Sequence, residues 1–408
     1  MAREMKDSGI QWVGIIPADW ECRRLRFLCE IQTGNQDTQD SIPDGLFPFY
    51  VRSPIVERSN KYTFEGPAIL MAGDGAGAGR VFHYVDGKYG CHQRVYSLQK
   101  ITDINRRFLY YYLSNLFYRE IEIANSKSTV DSVRLPMLQN FQVVFPNDHK
   151  QKKIVEHLDS KCAEIDAVLN KTRTSIEEYK KLKQAIITQA VTKGIRGDRP
   201  MKESGVIWLD AVPAEWTISK IKYTIFPKEK PVLPMDEVIT CFRDGIVTLR
   251  RNRREEGFTI SFTENGYQGV DVGDLVIHGM DTFAGAIGCS DSRGKTSPVV
   301  HVCSTVGNNR YFMYFLRYMA YSGVLMDFSN GVRIRSSDFR NFKKLAVFEM
   351  LVPPLREQNK IVDYLDSTLA KIDQVIKQKE ILISELEACK KSAIYEYVTG
   401  KKEVPNAY

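Results

Sequence analysis

Residues 151–194 read QKKIVEHLDSKCAEIDAVLNKTRTSIEEYKKLKQAIITQAVTKG, a run without proline and with glycine only at its last position, and the chain contains this run twice. The segment from Gln358 reads QNKIVDYLDSTLAKIDQVIKQKEILISELEACKKSAIYEYVTG and matches it at the constant spacing that separates Gln151 from Gln358, 207 residues. Ile154 answers Ile361, Leu158 answers Leu365, and Asp159 answers Asp366. In the first copy Val155, Leu158, Cys162, Ile165, Leu169, Ile176, Tyr179, Ile186 and Ala190 fall on alternating steps of three and four, the seam of a coiled coil. Val362, Leu365, Leu369, Ile372, Ile376, Ile383, Leu386, Ala393 and Tyr397 repeat it. The polar interruptions coincide as well, Thr172 and Lys183 answering Lys379 and Lys390. A helix of this length spans roughly 60 Å at 1.5 Å per residue. Its apolar stripe needs cover along the whole length, and the simplest cover is its duplicate, packed alongside.

The duplication extends beyond the helices. Gly9, Trp12, Pro17, Ala18 and Trp20 return as Gly205, Trp208, Pro213, Ala214 and Trp216, which accounts for all four tryptophans. A spacing near half of a 408-residue chain means that a whole unit is duplicated, since solenoid repeats are only 20–50 residues long. Each unit is a tryptophan-proline opening segment, a body and a long helix. In the first body, 46–51, 68–72, 80–85 and 95–98 read as short strands between glycines and prolines, 108–122 as a helix rich in aromatics, and 141–145 as a strand leading into the long helix. The second body keeps the order: 274–278 corresponds to 68–72, Gly279 and Gly285 to Gly73 and Gly79, and 310–316 to 107–113. The fold expected is α+β, with one body used twice.

Several chemistries fail on context. Gly73-Asp-Gly-Ala-Gly-Ala-Gly79 contains a formal dinucleotide-binding pattern, but the residues after it read as a strand where that motif needs a helix N-terminus. Gly294-Lys295-Thr296 lacks the glycine that a phosphate-binding loop requires at position 289, which is Cys289, and reads as a surface turn. The six histidines are scattered, with no H-E-x-x-H and no G-x-S-x-G, and neither an amino-methyltransferase nor a helicase motif is present. The eight cysteines form no C-x-x-C pair and read as reduced, mostly buried thiols. The 408 residues have no apolar run of membrane-spanning length, and the first ten lack a signal-peptide core, so a cytoplasmic location is expected.

What remains is basic. The net charge is +7 with a pI near 8.8, which permits nucleic-acid binding without requiring it. The cationic clusters lie at comparable places in the two bodies: Arg80, His92, Gln93, Arg94, Lys127 and Arg134 in the first, and Arg250, Arg251, Arg293, Lys295, Arg333 and Arg335 in the second. Arginine and glutamine offer bidentate hydrogen bonds to guanine and adenine, and lysine and arginine hold phosphates. These twelve residues are the candidate DNA contacts. Val155, Leu158, Ile165, Leu169 and Ile176 against Val362, Leu365, Leu369, Ile372, Ile376, Ile383 and Leu386 form the candidate helix-pair interface.

On these residues the chain resembles the specificity subunit of type I restriction-modification systems, the HsdS family. The resemblance rests on the opening segments that end Pro-x-x-Trp at Trp20 and Trp216, on Pro353-Pro-Leu-Arg-Glu-Gln358, on the paired helix beginnings at Gln151 and Gln358, and on the helix endings at Gly194 and Gly400. The first unit departs from it at residues 146–150, Pro-Asn-Asp-His-Lys, where the second has Pro-Pro-Leu-Arg-Glu. The resemblance implies two α/β target recognition domains, at 1–150 and 195–357, separated by spacer helices at 151–194 and 358–408 that pack as an antiparallel coiled coil. It implies a non-enzymatic subunit that reads a bipartite double-stranded DNA target. The expected partners are methyltransferase subunits, two of them, and restriction subunits; the chain itself binds no cofactor, and S-adenosylmethionine, ATP and Mg reside in those partners. The rival readings are a coiled-coil scaffold with two globular heads and the specificity subunit of a related, non-type-I restriction system.

Overall fold

The computed structural model describes residues 3–124, 132–253, 264–327 and 339–405. The chain divides into two compact units, Met1–Arg173 with Glu380–Tyr408, and Thr174–Lys379. Each unit takes one body, the first part of the long helix that follows it and the last part of the other long helix. The sequential segments 1–150, 151–194, 195–357 and 358–408 follow chain order, whereas the units follow packing.

In the first unit β1 (Glu21–Arg24), β2 (Glu30–Thr33), β3 (Ala68–Ala72), β4 (Phe82–Val85), β5 (Val95–Gln99) and β6 (Gln142–Phe145) frame the body. An antiparallel sheet runs in the order β2-β5-β3-β4, and β6 pairs with β1. The sequence Ala-Ile-Leu-Met-Ala of β3 is buried at every position. Alternate side chains of a strand face opposite ways, and both faces are covered: Ile69 and Met71 join one cluster, while Ala68 and Leu70 join another with Tyr89, Cys91 and Val95. The first cluster is closed by α1 (Arg106–Ala124), whose Phe108, Leu109, Tyr112, Leu113, Leu116 and Phe117 are fully buried. A second small sheet orders Glu57–Ser59, Phe47–Tyr50, Lys88–Cys91 and Phe64–Glu65. Then comes α2 (Asp148–Lys193), which starts three residues before Gln151 because Asn147 caps it, its Oδ1 accepting from Lys150 N at 3.0 Å.

The second unit repeats this frame with β7 (Thr217–Lys220), β8 (Ile225–Pro227), β9 (Leu275–His278), β10 (Ile287–Cys289), β11 (Val300–Thr305), α3 (Asn309–Tyr321), β12 (Glu349–Val352) and α4 (Leu355–Val398). The sheet order β8-β11-β9-β10 and the pair β12-β7 match the first unit strand for strand. Leu275 and Ile277 face one cluster and Val276 the other. The remainder differs: in place of the second four-stranded sheet stand two separate pairs, Ile239–Cys241 with Val247–Leu249 and Gln268–Val270 with Gly294–Thr296. Gly294-Lys-Thr296 is therefore a strand and not the expected turn, and strand β11 begins at Val300. Gly73–Gly79 forms a short turn at Gly75–Gly77 with no helix after it. Gly79 and Gly285 both hold positive φ, at 61° and 84°, where a Cβ would strike Ile121 and Tyr321 respectively. The glycines serve a close approach of the helix to the loop.

The long helices pack antiparallel within each unit. In the first, the ring of His157 meets that of Tyr397 at a tilt (4.6 Å between rings), Asp166 accepts from Lys390 at 2.6 Å, and Arg173 meets Glu387 at 2.6 Å. In the second, Lys379 lies over Tyr179 at 5.8 Å, and Lys183 pairs with Asp373. The polar interruptions of the seam thus find partners: Lys183 with Asp373 and Lys390 with Asp166 are the same pair in duplicate, and the buried Thr172 bonds back to Val168 O at 2.8 Å. Leu158, Ile165, Leu169, Ile176, Val362, Leu365, Leu369 and Ile372 are buried, whereas Val155, Ile376, Ile383 and Leu386 are half-buried. Ile154, Ile187, Val191, Ile361, Ile394 and Val398, off the strict seam, are buried too. A helix that also covers a body needs a wider apolar face than a two-stranded seam.

Each helix is bound to its body by side chains at matching positions. Gln151 accepts from Asn105 N at 2.6 Å and donates to Pro146 O at 2.8 Å; Gln358 accepts from Asn308 N at 2.9 Å and donates to Pro353 O at 2.9 Å. Asp159 receives Arg107 at 2.9 Å and Tyr111 at 2.5 Å, and Asp366 receives Arg310 and Tyr314, both at 2.6 Å. All eight cysteines are free thiols, two of them exposed, and burial pushes Cys29, Cys91, Cys241 and Cys289 up to about 12. No helix among the described residues is long and apolar enough to cross a membrane.

In the second unit the buried Glu357 takes two bonds from Arg199, at 2.5 and 3.1 Å, and one from Trp216 Nε1 at 2.9 Å. Burial raises its pKa, but the bonds from Arg199 and Trp216 outweigh that and hold it below the ordinary glutamate value. A depressed carboxylate stabilises the fold above its unfolded pKa and loses that contribution as pH falls through the native one. Glu357→Gln should lower stability by about 3 kcal/mol near neutral pH, with a deficit that shrinks as the solution is acidified through that range. Denaturant unfolding at several pH values measures this, and a pH-independent deficit would contradict it.

Candidate nucleic-acid interface

In the first unit three separate stretches converge on Asp74. The loop His92–Arg94 joins the strand Lys88–Cys91 to β5, and Asp74 stands at the start of the glycine turn after β3. Ser132 forms a backbone bridge with Asp74, while Val133 N donates to Gly73 O at 2.8 Å. This brings Arg134, the exposed residue preceding the helix Leu135–Asn140, beside the loop that carries Arg94. Arg94 pairs with Asp74, and Arg52 approaches the same carboxylate at 3.7 Å. Asp74 is held below the usual carboxylate range, chiefly by the bond from Arg94 against the penalty of burial. Arg94 keeps 58% of its side chain exposed, so the pair leaves most of the guanidinium accessible. Beside it lies a cleft of about 570 Å³ lined by Thr38, Arg52, Ser53 and Asp74.

His92 occupies a different role from its neighbours. It is 3% exposed, its Nδ1 accepts from Arg94 N at 3.0 Å, and its Nε2 lies 3.4 Å from Asp37. Burial and the nearby Arg52 lower its pKa despite Asp37. It shapes the loop that presents the exposed Gln93, whose Nε2 also reaches Asp37, at 3.3 Å. Arg80 is exposed at the end of the glycine loop, its guanidinium 3.8 Å from the Tyr118 ring.

In the second unit the cations border a larger cleft, about 820 Å³, lined among others by Thr240, Arg243, Asp244, Arg250, Arg253 and Tyr267. Arg250 is half-buried and bonds Thr240 Oγ1 at 3.5 Å, Arg251 pairs with Glu237 at 2.6 Å, and Arg253 pairs with Asp244 at 2.6 Å while covering Phe242. Arg293 does not present a free head. It joins Asp236 at 2.8 Å, Asp271 at 2.5 Å and Pro231 O at 2.9 Å, and so clips three backbone segments together. Lys295, 16% exposed, is tied to Glu264 at 2.6 Å. Their strand setting explains this: Gly294–Thr296 pairs with Gln268–Val270, which leaves those side chains facing acidic neighbours. Lys127, Arg333 and Arg335 lie outside the described residues. Sequence reading missed Arg52 and Arg243, while Arg253 lies in the basic run 250–254 beside Arg250 and Arg251. Arg52 follows the apolar run Phe47–Val51 with no basic neighbour, and only the fold brings it to Asp74.

Among the described residues no group of three or more histidine, cysteine, aspartate or glutamate side chains could hold a metal ion. What the two units present is an exposed or cleft-lining set of cations on loops of a shared scaffold. Residues 17–178 match the family profile described as the type I restriction modification DNA specificity domain. The chain is 24% identical over 391 residues to the type I restriction enzyme EcoDI specificity subunit of Escherichia coli, covering 90% of this chain and 84% of that one. It is 22% identical over 428 residues to the MjaVIII specificity subunit of Methanocaldococcus jannaschii, covering 96% and 95%. A chain solved in work on assembly and conformational transition of the type I R-M system shares the fold, with a TM-score of 0.66 at 13% identity over 95% of this chain and 99% of that one. Along most of its length the chain is similar to the specificity subunits of type I restriction-modification systems, and residues 17–178 match the profile of their DNA specificity domain.

The geometry separates loop-building from presented cations, and stability measurements read the difference. Arg293→Ala strands the 4%-exposed Asp236 and should cost about 2 kcal/mol. Arg94→Ala, at an exposed guanidinium, should stay within about 0.5 kcal/mol. Equal losses in chemical denaturation would show that Arg94 too is a structural clip.

Proposed function

We propose that this chain reads a bipartite double-stranded DNA sequence, one half with each unit, and directs the modification and restriction subunits of a type I system to it. The observation that carries the reading is duplication with selective divergence. The sheet, the aromatic helix and the Gln and Asp anchors recur position for position, while the loops and small sheets bearing the cations differ. A scaffold has no need to vary the loops and keep the frame; a reader of two different half-sites does. The presented set is Arg52, Arg80, Gln93, Arg94 and Arg134 in the first unit, and Arg243, Arg250, Arg251 and Arg253 in the second. The partners are methyltransferase subunits, two by the two-fold repetition of the chain, and restriction subunits. S-adenosylmethionine, ATP and Mg serve catalysis there, in the cytoplasm, and this chain performs recognition.

The test is exchange. Replacing residues 217–350 with the equivalent region of a relative should change one half of the methylated sequence and leave the other intact, read by sequencing methylated adenines in DNA exposed to the assembled methyltransferase. A change in both halves would refute independent readout.

The helix pair is proposed to set the gap between the half-sites. Four residues inserted after Thr174 add roughly 6 Å at 1.5 Å per residue, somewhat under two base pairs at about 3.4 Å each, and keep the seam nearly in phase. The gap should lengthen by one or two base pairs. Two inserted residues turn the seam by over half a turn and should yield an unstable protein, each expelled large apolar side chain costing about 1.5 to 3 kcal/mol. An unchanged gap in a stable four-residue variant would mean that the helices do not measure it.

A further inference from the structure

The two units differ at one buried position, and the difference leaves a donor without an acceptor. In the second unit the Glu357 carboxylate is held by Arg199 and by Trp216 Nε1. In the first, Arg3 and Trp20 stand where the repeat has Arg199 and Trp216, but the place of Glu357 belongs to Lys150. Trp20 is 2% exposed, and its Nε1 has no hydrogen-bond partner among the described residues. An indole N–H shut away from water without an acceptor is disfavoured far more than a made bond is favoured, so such donors are rare unless something arrives to meet them.

The surroundings suit an anion. Trp20 lines a cleft of about 220 Å³ together with Arg3, Lys150 and Lys153, at the N-terminal end of α2, where the helix dipole favours negative charge. The carboxylates already there stay at the rim. Asp19 meets Lys150 at 2.6 Å and Arg3 at 3.8 Å, Glu403 meets Arg3 at 3.2 Å, and the two are 48% and 70% exposed. Neither reaches Trp20 Nε1. Lys153 makes no ion pair with any described residue. The cleft has room for a carboxylate, since a water molecule's share of liquid volume is about 30 Å³. The second unit shows what that combination of donors accepts: one carboxylate, taking the arginine and the indole at once.

We propose that the first unit carries a receptor for an external carboxylate, bound by Trp20, Arg3 and Lys150 at the place that the second unit fills with its own Glu357. The ligand is a free carboxylic acid anion or an acidic side chain of another protein. The proposal does not depend on how the chain reads DNA.

The indole ¹⁵N–H signals of the intact protein test it. There are four tryptophans, and Trp20→Phe identifies the signal of interest by its loss. Acetate should move that signal saturably, while chloride at equal ionic strength should not. A glutamate-rich peptide acting at much lower concentration than acetate would identify a protein as the source, and acetate acting alone would identify a small molecule. Arg3→Gln should weaken binding about 5-fold, as expected for a solvent-accessible ion pair. Lys150→Glu supplies the carboxylate from within, so the Trp20 signal should shift towards that of Trp216 and stop responding. No response to acetate or peptide in the unaltered protein, or an unchanged response in Lys150→Glu, would overturn the proposal.

Discussion

The docking of each long helix onto its body rests on a buried amide, Gln151 in one unit and Gln358 in the other. Each side chain takes an N–H from the residue run that opens the aromatic helix and gives its own N–H to the proline carbonyl before the long helix. An amide is suited to this because it offers an acceptor and donors together, and inside a body an unmet group of either kind is costly. Asp159 and Asp366, eight residues further along each helix, then take the arginine and tyrosine of the same aromatic helix. A recognition surface can be aimed only if its body cannot swivel on the helix, and these anchors supply that rigidity.

Duplication explains why the anchors come in pairs and why their surroundings have been free to change. The frame β2-β5-β3-β4 with α1 and its counterpart β8-β11-β9-β10 with α3 bury both faces of a central strand, so their residues are confined by packing on two sides. The segments outside the frame carry no such double constraint. There the first unit builds a four-stranded sheet that includes a parallel pair, and the second builds two separate antiparallel pairs. The basic side chains ride on these freer segments. The same relaxation reached one anchor: Glu357 closes a buried ion pair in the second unit, while its counterpart Lys150 turns outward to Asp19.

Long-range order along the chain was legible in the sequence because it is written in periodicity and repetition. The seam positions, the partnering of each long helix with its duplicate, the duplicated opening segment and the α+β bodies needed only apolar spacing and self-comparison, while the antiparallel sense came from the family resemblance. Strand Ala68–Ala72 was readable because five consecutive buried residues between glycines have few other uses. Context also disposed of the glycine loop as a cofactor site. The start of α2 was less legible, since Asn147 acts as its cap where the second helix follows a second proline, Pro354.

Charge in the sequence identified which loops are basic but not which cations are presented. His92 and Arg94 are two residues apart, yet one is sealed under the loop and the other projects from it. Arg293 and Arg251 read alike until Asp236, Asp271 and Pro231 are seen to surround the first. Periodicity determined the long helices and their partnering, because burial of an apolar stripe depends on spacing along one segment. Only the tertiary structure decided the roles of the polar side chains, because an ion pair depends on what distant segments bring within a few ångströms.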